Sequence, residues 1–378
     1  MRKIILFIFG TRPEAVKMAP VIRVFKNYPE LYNTQVCITS QHKSMLRQIM
    51  EILDISYDQN LDIMKKDQSL ARLSSRLINK LNPIISDISP ELVFVQGDTT
   101  SAMIGSLIAF YHQIPVAHIE AGLRTYNKYS PFPEEVNRSM ISRVSDFHFA
   151  PTDIAKNNLL AEGIMENKIW VTGNTVIDSL LWVQKTLLES DKSYFEFFKR
   201  SGISFEKKII LVTGHRRENF GNRFQNICIA LRQIIEQNDV DIVFPVHLNP
   251  NVYEPAHSII GNVKEIHLLE PLEYDNFLFL LTQCHFVLTD SGGIQEEAPT
   301  FDKPVLVMRD NTERPEGIEA GTSLLVGTNS SNIVKHTSTL LNDSSIYDNM
   351  SVAVNPFGDG KASKRIFDVI NEYSRTKN

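Results

Sequence analysis

The apolar residues His285-Phe286-Val287-Leu288 run into Thr289-Asp290-Ser291-Gly292-Gly293-Ile294-Gln295-Glu296-Glu297, a strand ending in a glycine-softened turn that opens a helix. Such a turn suits a phosphate. A helix N-terminus presents unpaired amides and the positive end of its dipole, and glycines let the backbone approach a diphosphate closely. Glu296 or Glu297, one turn into that helix, could accept hydrogen bonds from ribose hydroxyls. A plainer reading also fits, with Ser291 as a helix cap and Gly292 and Gly293 as a tight turn.

Other apolar runs end in charged residues as well. Residues 4–9 lead to Gly10-Thr11-Arg12-Pro13-Glu14, with Pro13 suited to a first helical turn and Lys17 one turn along the same face. Residues 92–96 lead to Gly97-Asp98-Thr99-Thr100, 116–119 to Glu120-Ala121-Gly122, and 208–213 to Gly214-His215-Arg216-Arg217. Arg12, Lys17, His215 and Arg314 are cations able to neutralise a diphosphate. Asp98, Glu120 and Glu134 are an unusual set to place near one, because carboxylates repel an anion unless they have work to do. Acids in unlike surroundings can divide general acid and general base roles. Three of these residues have a structural alternative: Asp98 as an N-cap before Thr99, Glu134 with Glu135 as the first turn after Pro133, and His215 as solvated surface, whereas Glu120, directly after residues 116–119, is not obviously a cap. His247, after another strand, fits a ligand contact or a structural role equally.

Several chemistries are disfavoured. The turn after residues 4–9 lacks the G-x-G-x-x-G spacing of a dinucleotide site, so no nicotinamide cofactor is expected. The ten histidines include no H-E-x-x-H pair, and no cysteine cluster supplies zinc ligands, so no metal is expected either. A net charge of −5 offers nucleic acid no general attraction. The three cysteines, Cys37, Cys228 and Cys284, form no disulfide framework, which suits a reducing cytoplasm. Residues 3–9 resemble the core of a signal peptide, but without a small-residue cleavage site they read as a buried first strand. No apolar stretch reaches bilayer length.

The elements that must hold these residues recur twice. Strand-length apolar runs at 4–9, 35–39, 92–96, 116–119 and 147–150 alternate with helix-length segments, the pattern of a parallel sheet covered on both faces. A second series follows at 208–213, 241–246, 265–268, 285–289 and 304–308. Between them lie a strand at 168–172 and a long polar helical region at 176–200. The spacing predicts two Rossmann-like doubly wound α/β domains, 1–172 and 173–361, with a terminal helix over 362–378 after the turn glycines Gly358 and Gly360. At 378 residues two domains are also the prior expectation from size. In such sheets ligands gather beyond the carboxyl ends of the strands, where the charged groups above lie.

With these blocks in hand, the chain resembles the bacterial non-hydrolysing UDP-N-acetylglucosamine 2-epimerases over nearly its whole length. Further ordered blocks carry the resemblance: His118-Ile119-Glu120-Ala121-Gly122-Leu123-Arg124, Pro133-Glu134-Glu135, Gly173-Asn174-Thr175, His215-Arg216-Arg217-Glu218 and Thr312-Glu313-Arg314-Pro315-Glu316. The resemblance implies the glycosyltransferase-B-like two-domain fold with an interdomain active site, a terminal helix packing back on the first domain, a homodimer, and neither metal nor nicotinamide. It implies reversible conversion of UDP-N-acetylglucosamine to UDP-N-acetylmannosamine, through elimination of UDP to 2-acetamidoglucal and readdition, to supply cell-surface polysaccharide synthesis. Asp98, Glu120 and Glu134 match the family's acid/base candidates, and His215 the residue assisting the departing diphosphate. Arg12, Lys17, Phe277, Ser291, Gly292, Gly293, Glu297 and Arg314 match substrate contacts. Gln41, His42, Arg216 and His247, with Glu134, match the region where some relatives bind a second UDP-N-acetylglucosamine as activator, although Ser44 and Asp67 replace a glutamine and an arginine found in some activated relatives. The competing readings are a hydrolysing epimerase, a glycosyltransferase, and a nucleotide-sugar sensor without catalysis.

Overall fold

In the computed structural model the described residues are 2–40, 43–65, 68–188 and 193–376. The chain forms two compact units, Met1–Ser179 with Gly358–Asn378, and Leu180–Phe357. Each is built on one parallel sheet.

The first sheet contains β1 (Lys3–Phe9), β2 (Tyr32–Ile38), β3 (Gln59–Asn60), β4 (Leu92–Gln96), β5 (Val116–Ile119), β6 (Phe147–Ala150) and β7 (Ile169–Val171), in the order β3-β2-β1-β4-β5-β6-β7. The second contains β8 (Lys208–Thr213), β9 (Val240–Pro245), β10 (Ile266–Leu269), β11 (Phe286–Thr289), β12 (Val305–Val307) and β13 (Ser323–Leu325), in the order β10-β9-β8-β11-β12-β13. Each strand order reverses once, between β1 and β4 and between β8 and β11. A crevice opens at such a reversal because the flanking connections leave to opposite faces of the sheet. The doubly wound α/β class expected from the alternation is the class observed in both units.

Burial explains why these segments are strands. Every residue of β4, β5, β6 and β11 is buried, so their continuous apolar runs satisfy both covered faces. In the first unit Leu6, Ile8, Val93 and Val95 pack against Leu77, Leu81 and Ile85 of the helix Leu70–Ile88 and Ile104 and Ile108 of the helix Thr100–Tyr111. In the second, Ile210, Val212, Ile242 and Phe244 meet Ile227, Leu231 and Ile234 of the helix Asn222–Gln237. Each such side chain contributes about 1.5–3 kcal/mol when fully buried.

The polar helix expected over 176–200 is instead several pieces. An apolar helix, Thr175–Val183, gives way to a wider π turn, Gln184–Leu188, and a separate helix spans Ser193–Arg200. Val176, Ile177, Leu180 and Val183 are buried, so the first piece is a core element rather than a polar connector. Its beginning belongs to the first unit: Ser179 Oγ donates to the Val16 carbonyl at 2.5 Å. The two units meet within this helix, between Ser179 and Leu180. Asp178, on the same helix, accepts from the Ala362 and Ser363 amides at 3.2 and 2.9 Å, anchoring the start of the terminal helix Ala362–Thr376. Farther along, Phe367 stacks on Tyr28 at 4.5 Å and meets Phe25 edge-on at 5.1 Å, so the terminal helix packs on the first unit. Among the described residues no helix is long and apolar enough to cross a membrane.

Candidate functional site

At the first sheet's reversal, the exits of β1 and β4 are tied together by a buried carboxylate. Thr11 caps the helix Arg12–Lys26, and Glu14 completes the capping box. Glu14 Oε2 accepts from the Gly10 and Thr11 amides at 2.9 and 2.8 Å, and Oε1 accepts from Thr99 Oγ1 at 2.6 Å. Burial raises the Glu14 pKa, and these donors oppose the rise. Thr99, not Asp98, caps the helix Thr100–Tyr111, its Oγ1 accepting from the Ala102 amide at 3.0 Å. The N-cap alternative for Asp98 is thereby removed. Main-chain atoms fix the turn that carries it: His118 Nε2 meets the Gly97 carbonyl at 2.7 Å, and Asn137 Nδ2 donates to the Asp98 carbonyl at 2.9 Å.

Beside that turn stand two further acids. Glu120 follows β5 with φ +62°, a left-handed conformation that costs a non-glycine residue about 1–3 kcal/mol. Its carboxylate pairs with Lys17 and accepts from Gln96 Nε2 at 2.5 Å and Asn174 Nδ2 at 3.4 Å. Glu134 opens the helix Glu134–Val144 directly after Pro133, as its structural alternative expected, and is half-buried. Asp98 pairs with Arg138 from that helix. Loss of hydration raises the Asp98 pKa, the Arg138 charge opposes this, and the charges of Glu120 and Glu134 add to it. Three acids thus occupy one electrostatic neighbourhood in unlike settings, Glu120 under donors that include Lys17, Gln96 and Asn174, and Asp98 facing the Arg138 guanidinium. That is the condition for one carboxyl to hold a proton while another is ionised. Lys17 lies here as Glu120's partner, and Arg12 is exposed at the start of its helix.

In the second unit the exits of β8 and β11 meet through Asp290, which is fully buried. Its carboxylate accepts from the His215 amide at 3.1 and 3.0 Å, the Arg216 amide at 2.9 Å and Asn219 Nδ2 at 3.0 Å. The His215 ring stands over this bracket, its Nδ1 3.8 Å from Asp290 Oδ1, and stacks on His247 at 5.6 Å. Packing around the ring lowers the His215 pKa; Asp290 opposes, and His247 and Arg216 reinforce the lowering.

The turn after β11 becomes the short helix Gly292–Glu297, with Ser291 at its cap position but without a side-chain capping bond. A Cβ on Gly292 would stand 3.4 Å from Arg216 Nη2, and one on Gly293 would stand 3.5 Å from Glu297 Oε1 and 3.9 Å from Ser291 Oγ. His215, Arg216, His247, Ser291, Gly292, Gly293 and Glu297 are therefore grouped beyond the carboxyl ends of the strands in the middle of the sheet. Arg314 pairs with Glu296, joining the same turn. Phe277 is half-buried on another element, the helix Tyr274–Gln283. Gln41, His42 and Asp67 lie outside the described residues. Among the described residues no group of three or more His, Cys, Asp or Glu is arranged to hold a metal ion.

Sequence reasoning missed the supporting residues. Gln96, at the last position of a strand otherwise apolar, and Asn174, inside a quoted block, both bear on Glu120; a polar residue at a strand exit was the available signal. Arg138 lies one helical turn beyond Glu134 and Glu135, a spacing that marks a shared face. Asp290 was visible only as part of the turn motif, and Asn219 carried no signal, since its role depends on β8 lying beside β11.

The UDP-N-acetylglucosamine 2-epimerase family model matches residues 26–371. The chain is 48% identical over 368 residues to the UDP-N-acetylglucosamine 2-epimerase of Escherichia coli K12, covering 97% of this chain and 98% of that protein. It is 50% identical over 370 residues to the enzyme of that name from Bacillus subtilis 168, covering 97% and 95%. The crystal structure of UDP-GlcNAc 2-epimerase from Neisseria meningitidis bound to UDP-GlcNAc superposes with a TM-score of 0.88 at 46% identity, covering 98% of this chain and 100% of that one. With such agreement along nearly the full length, the chain belongs to the UDP-N-acetylglucosamine 2-epimerase family.

Proposed function

We propose that this enzyme interconverts UDP-N-acetylglucosamine and UDP-N-acetylmannosamine by removing and restoring UDP at C1. The C2 proton lies next to no carbonyl, so direct deprotonation is slow. Its removal coupled to breaking the C1–O bond instead leaves UDP and 2-acetamidoglucal. Readdition of a UDP oxygen to C1, with protonation of C2 from the opposite face, gives the epimer, and the reverse sequence regenerates substrate. Proton transfer on two faces needs two acid/base groups, and we assign these from Asp98, Glu120 and Glu134. The observation that carries the assignment is their shared setting, in which Asp98 feels both Glu120 and Glu134 while Arg138 and Lys17 hold separate members of the set.

His215 assists the departing diphosphate in this reading. Arg12, Lys17 and Arg314 offset its charge, and Phe277, Ser291, Gly292, Gly293 and Glu297 hold the nucleotide. The product serves a cell-surface polysaccharide. The enzyme works in the cytoplasm as a homodimer, a compartment suited to three buried cysteine thiols that burial pushes up to about 12. A second UDP-N-acetylglucosamine binds as activator, with Arg216 and His247 as its candidate contacts on the second unit.

Incubation with UDP-N-acetylglucosamine in deuterated water tests the chemistry. The reading expects deuterium at C2 of UDP-linked product by NMR. Turnover without C2 exchange contradicts elimination, free sugar replaces the reading with hydrolysis, and an acceptor-dependent glycoside replaces it with glycosyl transfer.

A further inference from the structure

We propose that Arg138 is a positioning residue for the epimerisation, clamping the Asp98 carboxylate in place and setting how readily it gives and takes a proton. This rests on the reading of Asp98 as a proton-transfer group and adds a residue whose task is to govern it.

Arg138 is itself held in place by a neighbouring carboxylate. The helix Glu134–Val144 presents Glu135 and Arg138 on one face, and Arg138 Nη1 stands 3.5 Å from Glu135 Oε2. Glu135 is buried, and its carboxylate accepts from the Thr125 amide at 3.1 and 3.0 Å and from the Tyr126 amide at 2.8 Å. The guanidinium is therefore fixed on one side by an anchored carboxylate. Its other amine, Nη2, meets Asp98 Oδ2. One turn of main chain is fixed as well: Asn137, the preceding residue of the same helix, holds the Asp98 carbonyl, while His118 of β5 holds Gly97. Both the backbone and the carboxylate of Asp98 are thus registered against this helix, and Arg138 makes the side-chain contact.

The charges facing Asp98 come from three elements. Glu134 and Arg138 lie on the helix after Pro133. Glu120 lies at the β5 exit and brings Lys17 of the helix Arg12–Lys26 as its own partner. Two of the neighbours that act on Asp98 are acids and disfavour its ionised form; Arg138 is the cation that favours it. A planar guanidinium that reaches two carboxylates through separate amines fixes direction as well as charge, which lysine does only in part.

The test compares the parent enzyme with Arg138→Lys, Arg138→Met and Arg138→Gln, using kcat and KM for UDP-N-acetylglucosamine across pH. Arg138→Met and Arg138→Gln are expected to lower kcat roughly tenfold or more with KM within about twofold, and to move the limb governed by Asp98 upward by about 1–3 pH units. The upward direction holds whether Asp98 gives or takes the proton, because loss of a cation raises its pKa in both cases. Arg138→Lys should recover part of kcat and most of the shift. A pH profile unmoved in both neutral variants, or an effect on KM alone, overturns the proposal. Carboxyl 13C NMR titration of Asp98, assigned by its loss in Asp98→Asn, separates this from failure of the underlying reading. An unchanged Asp98 titration in the neutral variants refutes the role of Arg138. A raised titration together with normal turnover in Asp98→Asn shows instead that Arg138 governs Asp98 but that Asp98 is not a proton-transfer group, and overturns Arg138's part in catalysis. If both neutral variants fail to fold, Arg138→Lys decides the matter, since a kcat equal to the parent's in that variant refutes the proposal.

Discussion

The buried carboxylate of Asp290 receives the backbone amide of His215 on both oxygens, at 3.1 and 3.0 Å, where β11 and β8 leave the second sheet side by side. The two strands are in register at Thr213 and Thr289, so the residues that follow them necessarily leave together. The same carboxylate takes the Arg216 amide and the Asn219 amide group. One side chain thereby sets the course of the whole turn from Gly214 to Asn219.

Asp290→Asn is expected to loosen this turn. One acceptor oxygen becomes an NH2 that points at amide donors, and buried donors left without a partner cost about 1–3 kcal/mol. Stability by urea denaturation should fall by that order. UDP affinity by calorimetry should fall with it, because His215 and Arg216 lose their registration. Unchanged UDP affinity in a destabilised variant would show that the bracket serves folding alone.

Asp98→Asn and Glu120→Gln should each lower turnover by roughly 10²–10⁴-fold, the usual worth of a positioned acid or base. UDP binding should be largely preserved, since the phosphate-binding candidates grouped around Ser291 are on the second unit. Glu120→Gln also removes the charge that Lys17 faces, so some loss of stability accompanies it. Near-normal kcat in both variants would remove these carboxylates from the mechanism.

Much of the architecture was legible because parallel strands buried on both faces are written as continuous apolar runs. β4, β5, β6 and β8 occupy the expected residues, and their exits deliver Asp98, Glu120 and His215 where ligands gather in such sheets. β3 and β13 escaped notice for the converse reason. Gln59 and Asn60 are polar and exposed, and Ser323–Leu325 is a three-residue edge strand, so neither carries a run. What joins the site's members was not legible at all. Lys17 and Glu120 are 103 positions apart, and only the adjacency of β1, β4 and β5 brings the lysine to the acid. Spacing identifies chemistry along one element; the contacts that tune it depend on sheet order.

Gly122→Ala should fail to reach the parent's stability. Gly122 has φ +93°, and an added Cβ would lie 2.2 Å from the Ala155 carbonyl oxygen, a main-chain atom of the helix Asp153–Ala161. Neither the backbone conformation nor the neighbour can adjust cheaply, so a loss of about 1–3 kcal/mol or more is expected. A melting temperature within error of the parent would show that the helix shifts freely.

The buried histidines of the first unit give a pH dependence with a definite sign. His118 and His148 lie opposite each other on β5 and β6, and burial lowers them to about 3 and about 4. Between these values and the ordinary 6.5, the unfolded chain takes up protons that the folded one refuses. Their contribution to stability is therefore whole above pH 6.5 and declines as pH falls toward 4 and then 3. Each fully unprotonated imidazole adds a slope of about 1.4 kcal/mol per pH unit within that window. Glu14 and Asp98, whose pKa values are raised, act in the opposite sense: their contribution is present at low pH and lost as pH rises through their folded values. The clean measurement is accordingly a difference. His118→Gln, compared with the parent by urea denaturation at pH 7, 6 and 5, should be less stable at pH 7 because packing is disturbed, yet lose less stability on acidification. Parallel declines in the two proteins would mean that the His118 ring is protonated in the folded state, and the hydrogen bond from Nε2 to Gly97 would then be one made by an imidazolium.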